Sequence, residues 1–146
     1  MAYNILIVDD SQTMRAVIVK TVDMADIAVG QLFEATNGKE ALELLEKEWV
    51  DIVFADINMP VMNGIEMVEE MLKRGYMENT PVIVISTEGS KTRLDALRNM
   101  GVRGFLRKPI SPELFKNVVD GVLAEKVGGG QPAGSGGRAE DNTIVI

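Results

Sequence analysis

The sequence predicts an α/β fold with a five-stranded parallel sheet and helices on both of its faces. Strand and helix patterns alternate five times along the chain, as in folds made of β-α-β units. Strand candidates such as residues 5–8 and 52–55 are continuous apolar runs, which is typical of strands covered on both faces. Because crossovers between parallel strands are right-handed, the carboxyl ends of the strands are expected at one edge, where such sheets bind ligands.

Composition narrows the chemistry that the chain can perform. Its 146 residues suffice for one domain with a real core, and 46% are hydrophobic and 25% charged, as in ordinary globular proteins. The net charge of −7 argues against general binding to nucleic acid, so we expect no direct DNA binding. The chain has no histidine and no cysteine, which leaves carboxylates, amides, hydroxyls, lysine and arginine. No signal peptide or membrane span is visible, and we expect a cytoplasmic protein.

The first strand and helix are followed by a weaker strand. The strand at residues 5–8 precedes Ser11, a residue type that caps helix N-termini. Apolar residues then recur at helical spacing at Met14, Ile18 and Val22. The weaker strand at residues 31–35 contains Glu34, and a charge inside a strand is typical of a sheet edge.

The second and third helices flank the central strand at residues 52–55. Asn37 and Glu40 have capping-box spacing before the second helix. The third helix follows an Asn63-Gly64 pair, and Gly75 is expected to end it. The predicted core faces of these two helices consist of Ala41, Leu42, Leu45, Ile65, Val68 and Leu72.

The last two strand–helix pairs have clear start and stop signals. A strand at residues 81–86 precedes a helix that begins at Ser90 and is stopped by Gly101. A shorter strand at residues 102–106 precedes the final helix, which starts at Ser111-Pro112. The predicted core faces of these helices consist of Leu94, Leu97, Met100, Phe115, Val118, Val119 and Val122.

Four of the predicted strands end in residues that are chemically unusual for this position. These residues are Asp9 and Asp10, Asp56, Ser86 and Thr87, and Lys108. Each has an ordinary explanation by itself, since aspartate can cap a helix, serine is common in turns, and Lys-Pro is common in loops. Their occurrence together at one edge of a sheet favours a functional site.

The predicted cluster holds three carboxylates, a hydroxyl and an ammonium group. Carboxylates close together repel one another, and a divalent cation relieves this repulsion. Mg²⁺ is the natural cation for such a site, because it prefers a few oxygen ligands together with phosphate oxygens. Such a site can neutralise an incoming phosphoryl group, to which Lys108 adds positive charge, and Asp56 is then the candidate nucleophile.

With these residues the sequence resembles the receiver domain of two-component response regulators, over residues 4–123. The resemblance rests on Asp9-Asp10, Asp56, the Asn58-Met59-Pro60 turn with Gly64, Ser86 and Lys108-Pro109. The segments DDSQTMR and DINMPVMNG look most like those of single-domain chemotaxis (CheY-like) regulators. This family implies a flavodoxin-like (CheY-like) doubly wound α/β fold with five helices and strand order 2-1-3-4-5.

The resemblance implies that Asp56 accepts a phosphoryl group from a histidine kinase. It also implies that Asp10, Asp56 and the backbone carbonyl of Asn58 hold Mg²⁺, with Asp9 acting through water. Lys108 would contact the phosphoryl oxygens. The absence of histidine from the chain fits this scheme, because the donor imidazole must then come from the partner.

The implied switch consists of Ser86, which moves to hydrogen-bond the phosphoryl group, and Phe105, whose ring rotates inward behind it. Phe105 replaces the usual tyrosine and so has no hydroxyl for a partner. Thr87 stands where a small alanine is frequent, and its bulk affects the access of attacking water. Asn58 and Glu88 resemble the pair found in chemotaxis members with short-lived phosphorylation. Together with Thr87, these two residues are expected to tune dephosphorylation.

No second domain is recognisable after the last predicted helix, so we expect output through a docking surface. We expect this surface to be formed by the fourth helix, fifth strand and fifth helix. Between Ser90 and Lys108 the positive residues are Lys91, Arg93, Arg98, Arg103, Arg107 and Lys108, against Asp95 alone. This surplus predicts either a solvated helix face or contact with an acidic segment of a target protein.

The composition changes abruptly near the end of the chain. We predict a receiver domain at residues 1–126 and a Gly-rich flexible tail at residues 127–146. Residues 143–146 are apolar and have strand propensity, so the tail is either a disordered segment or a tethered docking peptide for a partner.

The sequence therefore predicts a phosphorylation-activated response regulator in chemotaxis or motility control. Its expected partners are a histidine kinase, a target protein and a phosphatase, and a monomer is favoured. We expect no classical enzyme activity, only self-catalysed phosphoryl transfer and loss at Asp56. A phosphorelay carrier and a phosphorylation-independent scaffold remain alternatives. A haloacid-dehalogenase phosphatase is disfavoured, because that class needs a second acid where this chain has Asn58.

Overall fold

Five parallel strands form one sheet in the order β2-β1-β3-β4-β5 in a computed structural model of the chain. The structure describes residues 2–87 and 89–127, so Glu88 and the predicted tail beyond residue 127 lie outside the described residues. The strands are β1 Tyr3–Val8, β2 Val29–Ala35, β3 Ile52–Ala55, β4 Val82–Ser86 and β5 Gly104–Arg107. The predicted fold class and strand order are confirmed.

In the described residues five helices and one short 3₁₀ segment accompany the strands, and the last helix follows β5. The helices are α1 Gln12–Met24, α2 Gly38–Lys47, α3 Gly64–Lys73, α4 Lys91–Asn99 and α5 Pro112–Val127, and the 3₁₀ segment is Tyr76–Glu78. Polar side chains cap the N-termini of four helices. Ser11, Asn37 and Ser90 do so as predicted, and Asn63 does so by the same chemistry. Each of these side chains accepts a backbone N–H of the first turn. These caps fix where each helix begins after its strand.

The core consists of two apolar layers, one on each face of the sheet. Residues of α2, α3 and α4 pack with Leu6 and Val8 of β1, whereas residues of α1 and α5 pack with Ile5 and Ile7. The side chains of alternate residues of β1 thus pack into opposite layers. The ring centroids of Phe54 and Phe115 lie 5.1 Å apart in the second layer.

A reciprocal capping box lies at the start of α3, whereas the sequence suggested one at the start of α2. Asn37 accepts the N–H of Glu40 as predicted, but the Glu40 carboxylate accepts from Thr36 rather than from Asn37. A reciprocal capping box does occur between Asn63 and Glu66, at the start of α3. Both devices fix short connections between a strand end and the following helix.

Four predicted strands have different bounds, of which β1 begins at Tyr3 rather than at residue 5 and β4 begins at Val82 rather than at residue 81. β2 begins at Val29, two residues before the predicted start, where the edge strand pairs with Tyr3. β5 covers Gly104–Arg107 rather than residues 102–106, because the N–H of Val102 bonds back to Leu97 at the end of α4. Val102 is therefore a buried part of the helix–strand connection.

The predicted core face of α3 is wrong at Leu72. This side chain is 50% exposed, whereas Met67, Val68 and Met71 are fully buried. Both Met71 and Leu72 match helical spacing from Val68, and the sequence pattern does not decide between them. The edge strand is predicted correctly: β2 lies at one side of the sheet, and Glu34 is exposed there.

The register of the sheet brings the strand ends level. Val8 pairs with both Ala35 and Ala55, and Ser86 pairs with Arg107. Asp9, Asp56 and Lys108, which follow the last residues of β1, β3 and β5, therefore lie at one edge of the sheet. None of the helices in the described part of the chain combines the length and apolarity needed to cross a bilayer.

Candidate functional site

Three carboxylates meet at the carboxyl edge of the sheet. Ligand oxygens of Asp9, Asp10 and Asp56 all lie within 4.8 Å of one another. Asp9 is 1% exposed and Asp56 is 7% exposed, while Asp10 lies at the surface. The cluster therefore has two buried carboxylates at its base and one exposed carboxylate at its mouth.

Lys108 supplies a positive charge to the two buried carboxylates. Its Nζ donates to Asp9 Oδ2 at 2.9 Å and to Asp56 Oδ2 at 3.0 Å. Burial by itself would lower the pKa of Lys108, but hydrogen bonds and attraction from Asp9 and Asp56 outweigh burial and raise it above its usual value. The side chain therefore stays charged at neutral pH.

Backbone donors fix the second oxygen of each buried carboxylate. Asp9 Oδ1 accepts the N–H of Ser11 at 2.9 Å, and Asp56 Oδ1 accepts the N–H of Ile57 at 2.7 Å. Each carboxylate is thus held between a main-chain donor and Lys108. This arrangement orients both groups without a further side chain.

Arg15 of α1 supports the site through the backbone of Asp9, and sequence reasoning did not single it out. Its Nη1 donates to the backbone carbonyl of Asp9 at 2.7 Å, and its Nε donates to Glu34 Oε1 at the same distance. The guanidinium joins α1, the end of β1 and the edge strand. Arg15 is the last residue of the segment DDSQTMR. Its role could not be inferred from that segment, because it depends on the contact with Glu34 of the edge strand.

The loop after Asp56 is tightly constrained. A Cβ at Gly64 would overlap the carbonyl oxygen of Asp56 and lie 2.9 Å from Ile57 Cα, so only glycine fits here. Val61 in the same loop has φ +68°, a left-handed conformation that is rare for a β-branched residue. Across the site, Arg93 Nη1 donates to Asn58 Oδ1 at 3.2 Å.

The switch candidates lie near the same edge. Ser86 is 3% exposed at the end of β4, and its carbonyl accepts the N–H of Lys108 at 3.1 Å. Thr87 is exposed beyond it. Phe105 is buried in β5, and the Arg98 guanidinium carbon lies 5.4 Å from its ring centroid.

The donor set fits a hard divalent cation. The ligands that the cluster offers are carboxylate oxygens, one of them exposed and therefore accessible, and Mg²⁺ binds oxygen ligands of this kind. Lys108 neutralises only part of the charge of the three acids. The cluster could therefore bind a metal ion.

Comparison with known proteins agrees with this geometry. The family model described as "Response regulator receiver domain" matches residues 5–120. The chain belongs to the response regulator receiver domain family. The sequence resemblance is thereby confirmed, and the protein is a two-component signalling module rather than a classical enzyme.

Several relatives of this receiver domain are chemotaxis proteins. A CheY homolog from Campylobacter jejuni is 36% identical over 127 residues, which cover 86% of this chain and 96% of that protein. CheY1 from Helicobacter pylori is 33% identical over 120 residues, 82% of this chain and 95% of that protein. A high-resolution structure of the chemotaxis response regulator CheY4 from Vibrio cholerae has a TM-score of 0.71 at 30% identity, covering 82% of this chain and 98% of that one.

Proposed function

We propose that this receiver domain is a phosphorylation-activated response regulator in chemotaxis or motility control. Asp56 accepts a phosphoryl group from a phosphohistidine of a histidine kinase. One observation supports this most strongly: a buried aspartate at the sheet edge shares a charged lysine with Asp9 and lies against further carboxylates. Kinase and target protein are then its partners, and its location is the cytoplasm.

The proposed transfer is a substitution at phosphorus. A carboxylate oxygen of Asp56 forms a bond to phosphorus, and the bond between phosphorus and the donor imidazole nitrogen breaks, leaving its electron pair on the imidazole. Asp9, Asp10, Asp56 and the Asn58 carbonyl would hold Mg²⁺, which when bound offsets the negative charge of the carboxylates and phosphoryl group. Lys108, which stays charged, exchanges a carboxylate oxygen for a phosphoryl oxygen.

Ser86 and Phe105 are the proposed switch. Ser86 lies at the end of β4, and its carbonyl accepts the backbone N–H of Lys108, the residue whose side chain contacts Asp56. A hydrogen bond from the Ser86 hydroxyl to the phosphoryl group would favour one of two conformations, and Phe105 on the neighbouring strand would follow. Asn58, Thr87 and Glu88 are the proposed tuning residues for dephosphorylation, of which Glu88 lies outside the described residues.

The proposed docking surface for the target consists of α4, β5 and α5. Its basic residues are partly engaged: Lys91 and Arg98 both pair with Asp95, and Arg103 pairs with Glu125. The two pairs with Asp95 lie at the surface, where ion pairs are weak and exchange readily for an acidic partner segment, whereas the Arg103–Glu125 pair is partly buried. A phosphatase that acts on phosphorylated Asp56 would be a third partner.

Acetyl phosphate with Mg²⁺ tests the proposal. We expect the wild-type chain to take up one phosphoryl group that is stable to acid and labile to base, as an acyl phosphate is. Asp56→Asn should take up none, while Asp23→Asn, which removes an exposed carboxylate of α1 outside the site, should behave like wild type. No uptake by wild type would identify a scaffold, and onward transfer to a second histidine protein would identify a phosphorelay carrier.

A further inference from the structure

A guanidinium group covers the aromatic ring of the proposed switch. The Arg98 guanidinium carbon lies 5.4 Å from the ring centroid of Phe105, which is close enough for a cation–π contact. Phe105 is 3% exposed, whereas the Arg98 side chain is 34% exposed. Arg98 belongs to the last turn of α4 and Phe105 to β5. The guanidinium therefore lies on the solvent side of a buried ring, at the surface proposed for the target.

Asp95 fixes one corner of this guanidinium group. Arg98 Nη1 donates to Asp95 Oδ1 at 2.6 Å, and Lys91 Nζ donates to the other oxygen of the same carboxylate at 2.8 Å. Within the part of the chain that the structure describes, Asp95 is the one hydrogen-bonding partner of Arg98, which leaves its Nε and Nη2 donors for a ligand from outside the chain. A planar guanidinium can stack on a ring and bind a carboxylate in its own plane at the same time.

The covered ring lies on the same face of the sheet as the other switch residue. Phe105 pairs with Val84 of β4, and both side chains belong to the apolar layer that includes α4. Ser86 is two residues after Val84, so its side chain lies on this face as well. A movement of Ser86 towards a phosphoryl group on Asp56 would free space beside the ring, which favours the buried ring position.

We propose that a carboxylate of the target protein binds Arg98, and that the Phe105 ring beneath it couples this contact to the phosphoryl group on Asp56. Phe105 has no hydroxyl for a partner, so the cation above its ring supplies the polar contact instead. A guanidinium stacked on the buried ring is held in place for the carboxylate, and it loses this support when the ring moves. Docking and phosphorylation then strengthen each other. This inference rests on the proposed function, because the coupling needs a phosphoryl group at Asp56.

Tetraglutamate blocked at both ends is the probe for an acidic target segment, and fluoroberyllate with Mg²⁺ mimics the phosphoryl group. NMR titrations of the full chain, followed by the Arg98 Nε–H signal and the amide signals of α4 and β5, give the peptide affinity with and without fluoroberyllate. Tetraglutamine is the uncharged control peptide. We compare wild type with R98Q, R98K, F105L and K91Q, and thermal unfolding checks that all of them fold. K91Q is the matched control, since it removes the same charge and another partner of Asp95 from the same helix.

We expect fluoroberyllate to raise the affinity of wild type for tetraglutamate by roughly two- to fivefold, the scale of one cation–π contact at a surface. R98Q should bind the peptide more weakly and lose this enhancement. F105L should keep the affinity measured without fluoroberyllate and lose the enhancement, because the ring is gone from beneath the guanidinium. R98K should keep only part of it, because an ammonium group does not stack as a guanidinium does. K91Q should bind more weakly through its lost charge and keep the enhancement.

The outcomes separate this inference from the proposed function. If fluoroberyllate does not bind wild type, the proposed function fails. If it binds and the peptide affinity of wild type stays the same, or if R98Q or F105L keeps the full enhancement, only this inference fails. Should F105L not fold, R98K with the full enhancement would overturn it. Equal binding of tetraglutamine would also overturn it, because the contact would then not depend on carboxylates.

Discussion

Val61 is the residue whose conformation departs furthest from its intrinsic preference. It has φ +68° and is 77% exposed, so its side chain contributes little burial in return for the left-handed backbone. The left-handed region costs an L-residue roughly 1–2 kcal/mol. Strain of this kind is found at functional sites, and Val61 lies in the loop that follows Asp56.

Val61→Gly is therefore expected to stabilise the fold by about 1 kcal/mol, because glycine adopts this conformation without steric cost. Urea denaturation monitored by circular dichroism measures the change. Val61→Ala serves as the control, since alanine keeps most of the steric cost and should gain less. A lower free energy of unfolding for Val61→Gly would contradict the assigned strain.

Lys108 makes a pH-dependent contribution to stability. Its pKa in the folded chain is raised above 10.5, the value for an unperturbed side chain, so the folded state holds this proton more tightly than the unfolded state. The contribution is fully present below pH 10.5 and is lost as the pH rises through the folded pKa. The direction follows from the two carboxylates that Lys108 contacts.

We expect the free energy of unfolding of wild type to fall above pH 10.5 more steeply than that of Lys108→Met. Chemical denaturation at a series of alkaline pH values gives both curves. The two proteins differ only at position 108, so the difference between the curves isolates Lys108. Parallel curves would show that the ammonium group is not stabilised by its carboxylate partners.

At the scale of elements, the sequence predicted the number, order and caps of helices and strands well. The apolar runs, capping residues and glycine stops are local signals, so Ser11, Asn37 and Ser90 lie where predicted. Bounds and faces that depend on tertiary contacts were less predictable. β5 starts late because Val102 bonds back to α4, and Met71 rather than Leu72 faces the core because of how α3 packs.

Replacement by alanine is expected to have opposite effects at Gly64, which starts α3, and at Gly121, which lies within α5. Gly64→Ala should destabilise by about 1–3 kcal/mol, because the new methyl group meets backbone atoms of Asp56 and Ile57. Gly121→Ala should stabilise by about 0.5–1 kcal/mol, because it is an exposed helical site with open space around it. Thermal and urea unfolding measure both, and equal effects of the two changes would contradict this account of the acceptor loop.

At the scale of the whole molecule, the site is assembled from residues far apart in sequence. Lys108 and Asp9 are 99 positions apart, and Lys108 and Asp56 are 52 apart. Their meeting was predictable because parallel strands with right-handed crossovers end at one edge. The contacts of Arg15 with Glu34 and of Arg93 with Asn58 were not predictable, because they depend on which neighbouring element each long side chain reaches.

The acidic cluster predicts a linked response of the whole fold to Mg²⁺. An ion that binds only the folded state raises the unfolding temperature, so Mg²⁺ should stabilise wild type and Asp23→Asn alike. Asp10→Asn should lose most of this response, and without Mg²⁺ it should be at least as stable as wild type, because one of three clustered carboxylates is gone. Calorimetry with and without Mg²⁺ measures both effects. An undiminished Mg²⁺ response in Asp10→Asn would contradict the assigned cation site.

The central claim is that Asp56 is the residue that carries the phosphoryl group. Borohydride reduces an aspartyl phosphate to homoserine and leaves an unmodified aspartate unchanged, so peptide mass spectrometry after treatment with acetyl phosphate and Mg²⁺ locates the modified position. The account predicts homoserine at position 56 and at no other aspartate. Homoserine at Asp9 or Asp10, or none at any position, would contradict it.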